Sequence, residues 1–487
     1  VTVDTRALID KVLARYSGEW TTLRELIQNA ADAQASTVTV KWETIPSTSV
    51  PLPQNATPSD LLQHTLRHHT IRRLVVQNDG LPFSKTDWQR LKRIAEGNPD
   101  ETKIGAFGVG FYSVFADCEE PFVSSGAEAM AFYWKGNALF TRKVTLPEDQ
   151  QSKLTTFVLD YRSTTTPVPN LLSVAQFLAT SLTFVALQRI EFWIDEWRVL
   201  GLVKKSSPSM AVLVPRSLET TTREKHFRLT AAERMSTQID ATFMHVLGWK
   251  PQTTSSTSKL AETTFGSELS SLKGFFSRLT GVSSQTKAAK EEKSLQDTVA
   301  QDLTATSTST IFLRSISAQF ATSVSSSFAA ELERATKKPP PKITRISILT
   351  SSYDEAVASE EASSAAAAKI ADVFATVLPS KKPGGRIFIG FPTMQTTGAG
   401  MHVSAPSVIP TVEREAIDLN ARWVRTWNVE MLRATGILAR LAFASEMAEL
   451  DQKLKRMAQA NGDNKKKAQL IVGIDFVRSF PWLGLRV

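Results

Sequence analysis

A single cysteine, Cys118, stands among 487 residues. That excludes a disulfide framework and is expected of a reducing intracellular compartment, cytoplasmic or nuclear. No apolar run is long enough to span a bilayer and no signal peptide is recognisable, so no membrane contact is expected. The most apolar stretch, residues 172–187, is short and interrupted by polar side chains, as in a packed helix. Histidine is scarce, with six in all. His64, His68 and His69 share one polar stretch without cysteine or carboxylate neighbours, which argues against a zinc site and for surface or insertion residues. No Gly-x-x-x-x-Gly-Lys-Ser/Thr motif is present, which argues against a P-loop enzyme. The chain opens on Val1 rather than Met, as expected of a fragment or processed product.

The chain is 42% hydrophobic, enough for about three domains with proper cores. Its net charge of +9 permits contact with nucleic acid or acidic proteins but is moderate for the length. The basic run Lys465-Lys466-Lys467 follows an Asn-Gly-Asp-Asn turn and reads as a solvated loop.

Two segments carry the chemistry. Residues 23–33 read Leu-Arg-Glu-Leu-Ile-Gln-Asn-Ala-Ala-Asp-Ala, a helix without an internal breaker. It sets Glu25, Asn29 and Asp32 four and three residues apart on one face. An amide oxygen suits a hard cation, and a carboxylate one turn away suits a water beside it. Residues 104–115 read Ile-Gly-Ala-Phe-Gly-Val-Gly-Phe-Tyr-Ser-Val-Phe, a glycine-spaced turn running into an apolar helix. Gly105, Gly108 and Gly110 permit close backbone approach, and a helix start favours an anion. The two together point to a magnesium nucleotide site.

This pair resembles the N-box and glycine-rich lid of the GHKL superfamily, which comprises gyrase, heat-shock protein 90, histidine kinase and MutL. Within it the chain is most similar to the heat-shock protein 90 branch, and there to sacsin and its fungal relatives. The resemblance covers residues 1–160 clearly and residues 386–420 weakly. It implies an α/β fold: a Bergerat-type α/β sandwich nucleotide domain over residues 1–165, a transducer-like middle α/β domain over 170–410 with Ser/Thr-rich insertions, and a helical C-terminal segment over 411–487. It implies ATP and Mg2+ as cofactors, with Glu25 polarising water, Asn29 ligating magnesium and Asp32 alongside. Gly105, Phe107, Gly108, Val109, Gly110 and Phe111 would cradle phosphates, with Lys103 facing them. Family members hold adenine through an Asp-x-Gly-x-Gly loop. Here Asn78-Asp79-Gly80-Leu81-Pro82 puts Asn78 at the Asp position and Pro82 at the second Gly; Asp79 takes the role if the loop shifts by one. Thr155, with Thr156 as neighbour, matches a Thr that helps hold adenine. Glu25 distinguishes the chain from the family's histidine kinases, and no histidine sits in a phospho-acceptor context, so hydrolysis to ADP is expected.

Beyond residue 165, periodicity predicts a helix over 172–186, a hairpin over 189–200, core strands over 311–318 and 343–350 with a helix between them, an Ala-rich helix over 360–375 and a strand over 385–392. A helical stretch follows over 417–457. In GHKL ATPases a polar or basic side chain of the second domain reaches the terminal phosphate; Gln395 is the candidate, with Arg414 the alternative. The expected partners are ATP or ADP, a protein client and, on nucleotide binding, a second copy. Two rivals stand beside the chaperone-type ATPase: a scaffold whose nucleotide site is slow or non-catalytic, and a chromatin-type ATPase that binds DNA through its basic surface.

Overall fold

The computed structural model describes residues 4–14, 19–92, 110–250, 302–336, 338–351, 353–364, 367–379, 384–411 and 416–460. The fold is mixed α/β, built on one sheet of 15 strands. In chain order the strands are β1 (Thr37–Ile45), β2 (Thr70–Asn78), β3 (Phe122–Gly126), β4 (Glu128–Lys135), β5 (Ala138–Thr145), β6 (Ser152–Asp160), β7 (Arg189–Ile194), β8 (Trp197–Ser206), β9 (Met210–Ala211), β10 (Phe227–Met244), β11 (Thr306–Thr322), β12 (Ile343–Thr350), β13 (Arg386–Ile389), β14 (Phe391–Thr396) and β15 (His402–Ser404). Their spatial order is β14-β13-β15-β12-β11-β10-β8-β7-β1-β2-β6-β3-β4-β5, with β9 alongside β10. β1 pairs in parallel with β7, and β13 with β15; the other ladders are antiparallel.

The strands form where apolar side chains alternate. Val38, Val40 and Trp42 of β1 and Ile190, Phe192 and Ile194 of β7 are all buried on one face. Helices α1 (Thr5–Leu13), α2 (Thr21–Asp32), α3 (Pro58–His68), α4 (Lys85–Arg90) and α5 (Leu171–Leu182) belong to the same half of the molecule. Helices α3 and α4 each begin with a capping box, Thr57 with Asp60 and Ser84 with Asp87, which satisfies backbone N–H groups their first turns leave open. Helix α5 is capped by Asn170 Oδ1, which accepts from the Ser173 N–H at 3.0 Å.

The boundary expected at residues 165–170 falls inside a continuous sheet. The 189–200 hairpin is present as β7 and β8, but β7 lies directly against β1, and α5 packs into the same core as α2. The residues that divide the molecule are instead β10 and β11, 18 and 17 residues long. Their ends near Ile239, Phe243 and Leu313 enter one hydrophobic core; their other ends, at Phe227, Ile316 and Phe320, enter a second. The second core is closed by helices Ser326–Thr336 and Arg422–Ala460. Along the latter, Val424, Trp427, Met431, Ala434, Leu438 and Leu441 are buried at alternating three- and four-residue spacing, one continuous apolar stripe.

Three expectations are corrected. The Ala-rich stretch over 360–375 is not one helix: Tyr353–Glu361 ends and a short Ala367–Ile370 turn follows. The Ser363 hydroxyl donates to the Ser359 and Thr310 carbonyls, and Ser hydroxyls that bond backbone in this way compete with helix continuation. The apolar segment after the glycine motif forms a 3-10 turn over Gly110–Ala116, not an α-helix. Phe111 to Phe115 are all buried, so no solvent face is available for a surface helix. The surface reading of the histidines fails for His64, which is buried. Its ring bridges the Val50 carbonyl at 3.2 Å and the His69 ring at 3.3 Å. His69 meets the Thr44 hydroxyl at 2.8 Å, and Thr44 donates to Asp195 at 2.8 Å. Among the described residues no helix is long and apolar enough to cross a membrane.

Candidate functional site

Helix α2 presents Glu25 from its second turn, and the carboxylate is only 3% exposed. A buried carboxylate requires partners. Arg24 Nη2 lies 3.5 Å from Glu25 Oε1. On the other side the Gly110 backbone comes so close that a Cβ there would overlap Glu25 Oε2 and stand 3.1 Å from the carboxyl carbon. A side chain at position 110 would therefore displace the Glu25 carboxylate. The packing is reinforced by Thr22, whose hydroxyl donates to the Ser113 carbonyl at 3.2 Å. Asn29 follows one turn after Glu25 and is half-buried, as is Asp32 at the helix end.

The end of α2 is tied to the loop after β2. The Leu81 N–H donates to the Ala33 carbonyl at 2.8 Å, and a Cβ on Gly80 would meet that oxygen at 2.8 Å and Ala33 Cβ at 2.9 Å. This close approach places Asn78, 5% exposed, beneath the loop. Its Oδ1 accepts from the Gly80 N–H at 3.1 Å. Across the ladder Asn78 faces Thr155, which is buried and shares a 2.7 Å hydrogen bond with Ser125. The Ser125 hydroxyl in turn accepts from the Phe83 N–H at 2.9 Å, closing the loop over the strand end. Thr156 accepts instead from the Gln77 carboxamide at 3.2 Å.

Asp79 is placed differently. Its Oδ1 accepts from the Ser36 and Thr37 N–H groups at 2.8 Å each, and Oδ2 accepts from the Ser36 hydroxyl at 2.5 Å. Burial raises its pKa, but the Ser36 hydroxyl and the Thr37 and Ser36 N–H bonds outweigh that and hold the carboxyl below its ordinary range. All of its visible bonding serves to anchor the start of β1.

The structure thus gathers Glu25, Asn29, Asn78, Gly80, Thr155, Gly110 and Phe111 around α2 and the adjoining ends of β2 and β6. Phe111 reaches β6 through Phe157, with ring centroids 6.3 Å apart. Lys103, Gly105, Phe107, Gly108, Val109 and the alternative Arg414 lie outside the described residues. Gln395 sits in β14, and its Oε1 accepts from the Ile417 N–H at 2.8 Å, so its carboxamide oxygen holds the neighbouring segment. β14 reaches the first core through Phe391, stacked on Phe177 of α5, which itself contacts Trp20 at the start of α2. Sequence reasoning missed Arg24, Ser36 and Ser125. Arg24 had a signal in its adjacency to Glu25; the two serines had none, because their partners lie 43 and 30 residues away.

Among the described residues no group of three or more His, Cys, Asp or Glu side chains is arranged to hold a metal. Among the described residues beside Glu25, Asn29 offers an amide oxygen, a donor of the kind magnesium accepts when phosphate oxygens and waters supply the rest of its coordination.

Two family models match. The Sacsin domain matches residues 3–153, and the family described as Protein of unknown function (DUF3684) matches residues 182–474. No curated protein matches. Among solved structures, one titled "Crystal Structure of N terminal domain of a DNA repair protein" aligns over 49% of this chain and 71% of that chain, at 9% identity and a TM-score of 0.24.

Proposed function

Since the chain belongs to the DUF3684 family and carries a sacsin domain at its N-terminal end, we propose that it is a GHKL-type, heat-shock-protein-90-like ATPase module. In this reading the module binds ATP with magnesium and serves a chaperone or assembly role. The observation that supports this best is the pairing of Glu25 with Gly110: a buried carboxylate held against the last glycine of the glycine-spaced motif. An ordinary core has little reason to bury an acid there, whereas hydrolysis needs a base next to the terminal phosphate. Asn29 supplies an amide oxygen to magnesium, and the motif's N–H groups offset phosphate charge. Asn78 and Thr155 form the adenine end, where Asn78 accepts from the base's amino group. Magnesium, when bound, neutralises charge on the phosphates; the carboxylate's part is to orient and deprotonate a water.

The test is binding of a labelled ATP analogue with and without magnesium, followed by turnover of Glu25→Gln. Gln preserves the packing on Gly110, so binding should stay within about threefold while hydrolysis falls by roughly 100-fold or more. Hydrolysis at the wild-type rate in that variant would remove Glu25 from the mechanism. A second reading, a scaffold with a non-hydrolysed nucleotide, is favoured by Asn78: it is neutral where the family has Asp, and its oxygen already accepts from Gly80. Tight ATP binding without turnover would select it. Salt-dependent binding to duplex DNA, with a steep slope, would instead favour the chromatin-type rival.

A further inference from the structure

β15, β12, β11, β10 and β8 are consecutive in the sheet, and one face of this run is lined by hydroxyls. The opposite face carries Ile316, Ala318, Ile346, Ile348 and Val403 into the second core. The hydroxyl face instead brings Ser317, Ser347 and Ser404 into one row across three strands. Thr237 and Ser315 extend it toward β8; these two, with Ser317 and Ser404, are each more than nine-tenths buried. A sheet face built only to pack would place branched apolar side chains here. The short serines leave room, and a cavity of about 670 Å³ lies over them, closed at one end by residues 183–186 after α5. That volume is within the usual range of small-molecule sites.

Among the described residues that line the cavity, Lys204, Lys205 and Arg345 are the charged ones; Glu233 stands beside Ser317 across the β10–β11 ladder. The Lys204 ammonium donates to two carbonyls, that of Leu182 at the end of α5, at 3.0 Å, and that of Val185 just beyond it. An ammonium has three donors, so one remains. Burial pushes its pKa down to about 8, so it stays cationic at neutral pH. Lys205 is bridged to Asp240 at 2.9 Å, and Arg345 is paired with Glu233, which faces an adjoining 330 Å³ pocket. The Arg345 guanidinium, with five donors, retains N–H groups beyond that pair.

We propose that this cavity is a second ligand site that binds a phosphate ester of a small polyhydroxyl compound, its phosphate taken by Lys204 and Arg345 and its hydroxyls by the serine row. The site is separate from the α2 nucleotide site: it lies on β8, β10, β11, β12 and β15, and shares no residue with it. The chemistry is complementary. Cations bind phosphate through charge-assisted hydrogen bonds, and serine hydroxyls, which both donate and accept, match sugar hydroxyls.

The experiment is calorimetric titration of the full chain with fructose 1,6-bisphosphate, glucose 6-phosphate, free glucose and inorganic phosphate, each to about 10 mM, repeated with saturating ATP and magnesium. The expected result is saturable binding of at least one ester, unchanged by ATP, with inorganic phosphate and glucose at least tenfold weaker. Arg345→Gln, at an exposed position, and Ser347→Ala should each weaken the ester at least tenfold and threefold respectively. Lys204→Met should abolish it. If that variant does not fold, the first two decide. Absence of binding by both esters, equal binding of inorganic phosphate, displacement by ATP, or wild-type affinity in Arg345→Gln would each overturn the proposal.

Discussion

Asn78 and Asp79 are neighbours in the chain, yet one side chain is buried and the other exposed. Because Asp79 spends its oxygens on Ser36 and Thr37, Asp79→Ala should lower stability by about 1–3 kcal/mol and leave ATP affinity within about twofold. Denaturant midpoints and nucleotide titration on the same variant check both halves; abolished ATP binding with unchanged stability would transfer the adenine role to Asp79. His402 sets a pH dependence. Its ring is 1% exposed, its Nδ1 accepts from the Arg386 N–H at 2.9 Å and its Nε2–H donates to the Val377 carbonyl at 3.0 Å. Burial pushes its pKa down to about 4. The unfolded chain binds a proton near pH 6.5 and the folded chain only near 4, so stability is full above about pH 6.5 and declines as pH falls toward 4. The single-site loss is roughly 3 kcal/mol. His402→Gln, which can keep both hydrogen bonds without titrating, should flatten the curve over that window; an unchanged slope would exclude His402 as its source.

At the scale of elements, Gly110 and the β1–β7 ladder carry the consequences. Gly110→Ala forces a methyl into Glu25, so ATP hydrolysis should fall more steeply than ATP binding; equal losses would mean a general disruption of the fold. A fragment ending at residue 165 strips β7 from β1 and leaves an apolar strand edge open, so it should aggregate, whereas a fragment ending at 206 keeps that ladder and α5. Soluble yield and strand content by circular dichroism compare the two. The 165 boundary looked reasonable because Thr164 to Pro169 has linker composition. Composition does not reveal that the Thr166 carbonyl accepts from the Ile71 N–H at 2.8 Å. Local features were legible: β6, β7, β8, β11 and β12 follow from alternation, and the long helix of the second core from its period. Features made by distant partners were not. Nothing in the spacing of Thr37 and Arg189 announces that they pair, and His64 looks solvated until the Val50 carbonyl and the His69 ring meet it. The clustering of Glu25 with Gly110 was legible because both positions lie in motifs. The fixing of Gln395 by Ile417 was not, since it depends on a backbone N–H.

For the whole molecule, β10 and β11 run through both cores, so the two cores should unfold together. Ile239→Ala, in the first core, and Phe320→Ala, in the second, each remove buried apolar volume and should cost about 2–5 kcal/mol. Calorimetry should show one transition displaced by either variant. Two transitions, each moved by only one variant, would show that the long strands do not couple the cores. The parallel pairing of β1 with β7 has a further consequence during biosynthesis. Once β1 has left the ribosome, roughly 150 further residues must leave before its partner does, about 8–30 s at ordinary translation rates. Over that interval the nascent chain holds a strand in which Val38, Val40 and Trp42 alternate with polar residues, with one edge unoccupied. Other nascent copies on the same messenger are the nearest strands able to occupy it, so slow codons between residues 45 and 189 should raise the aggregated fraction, and faster ones should lower it.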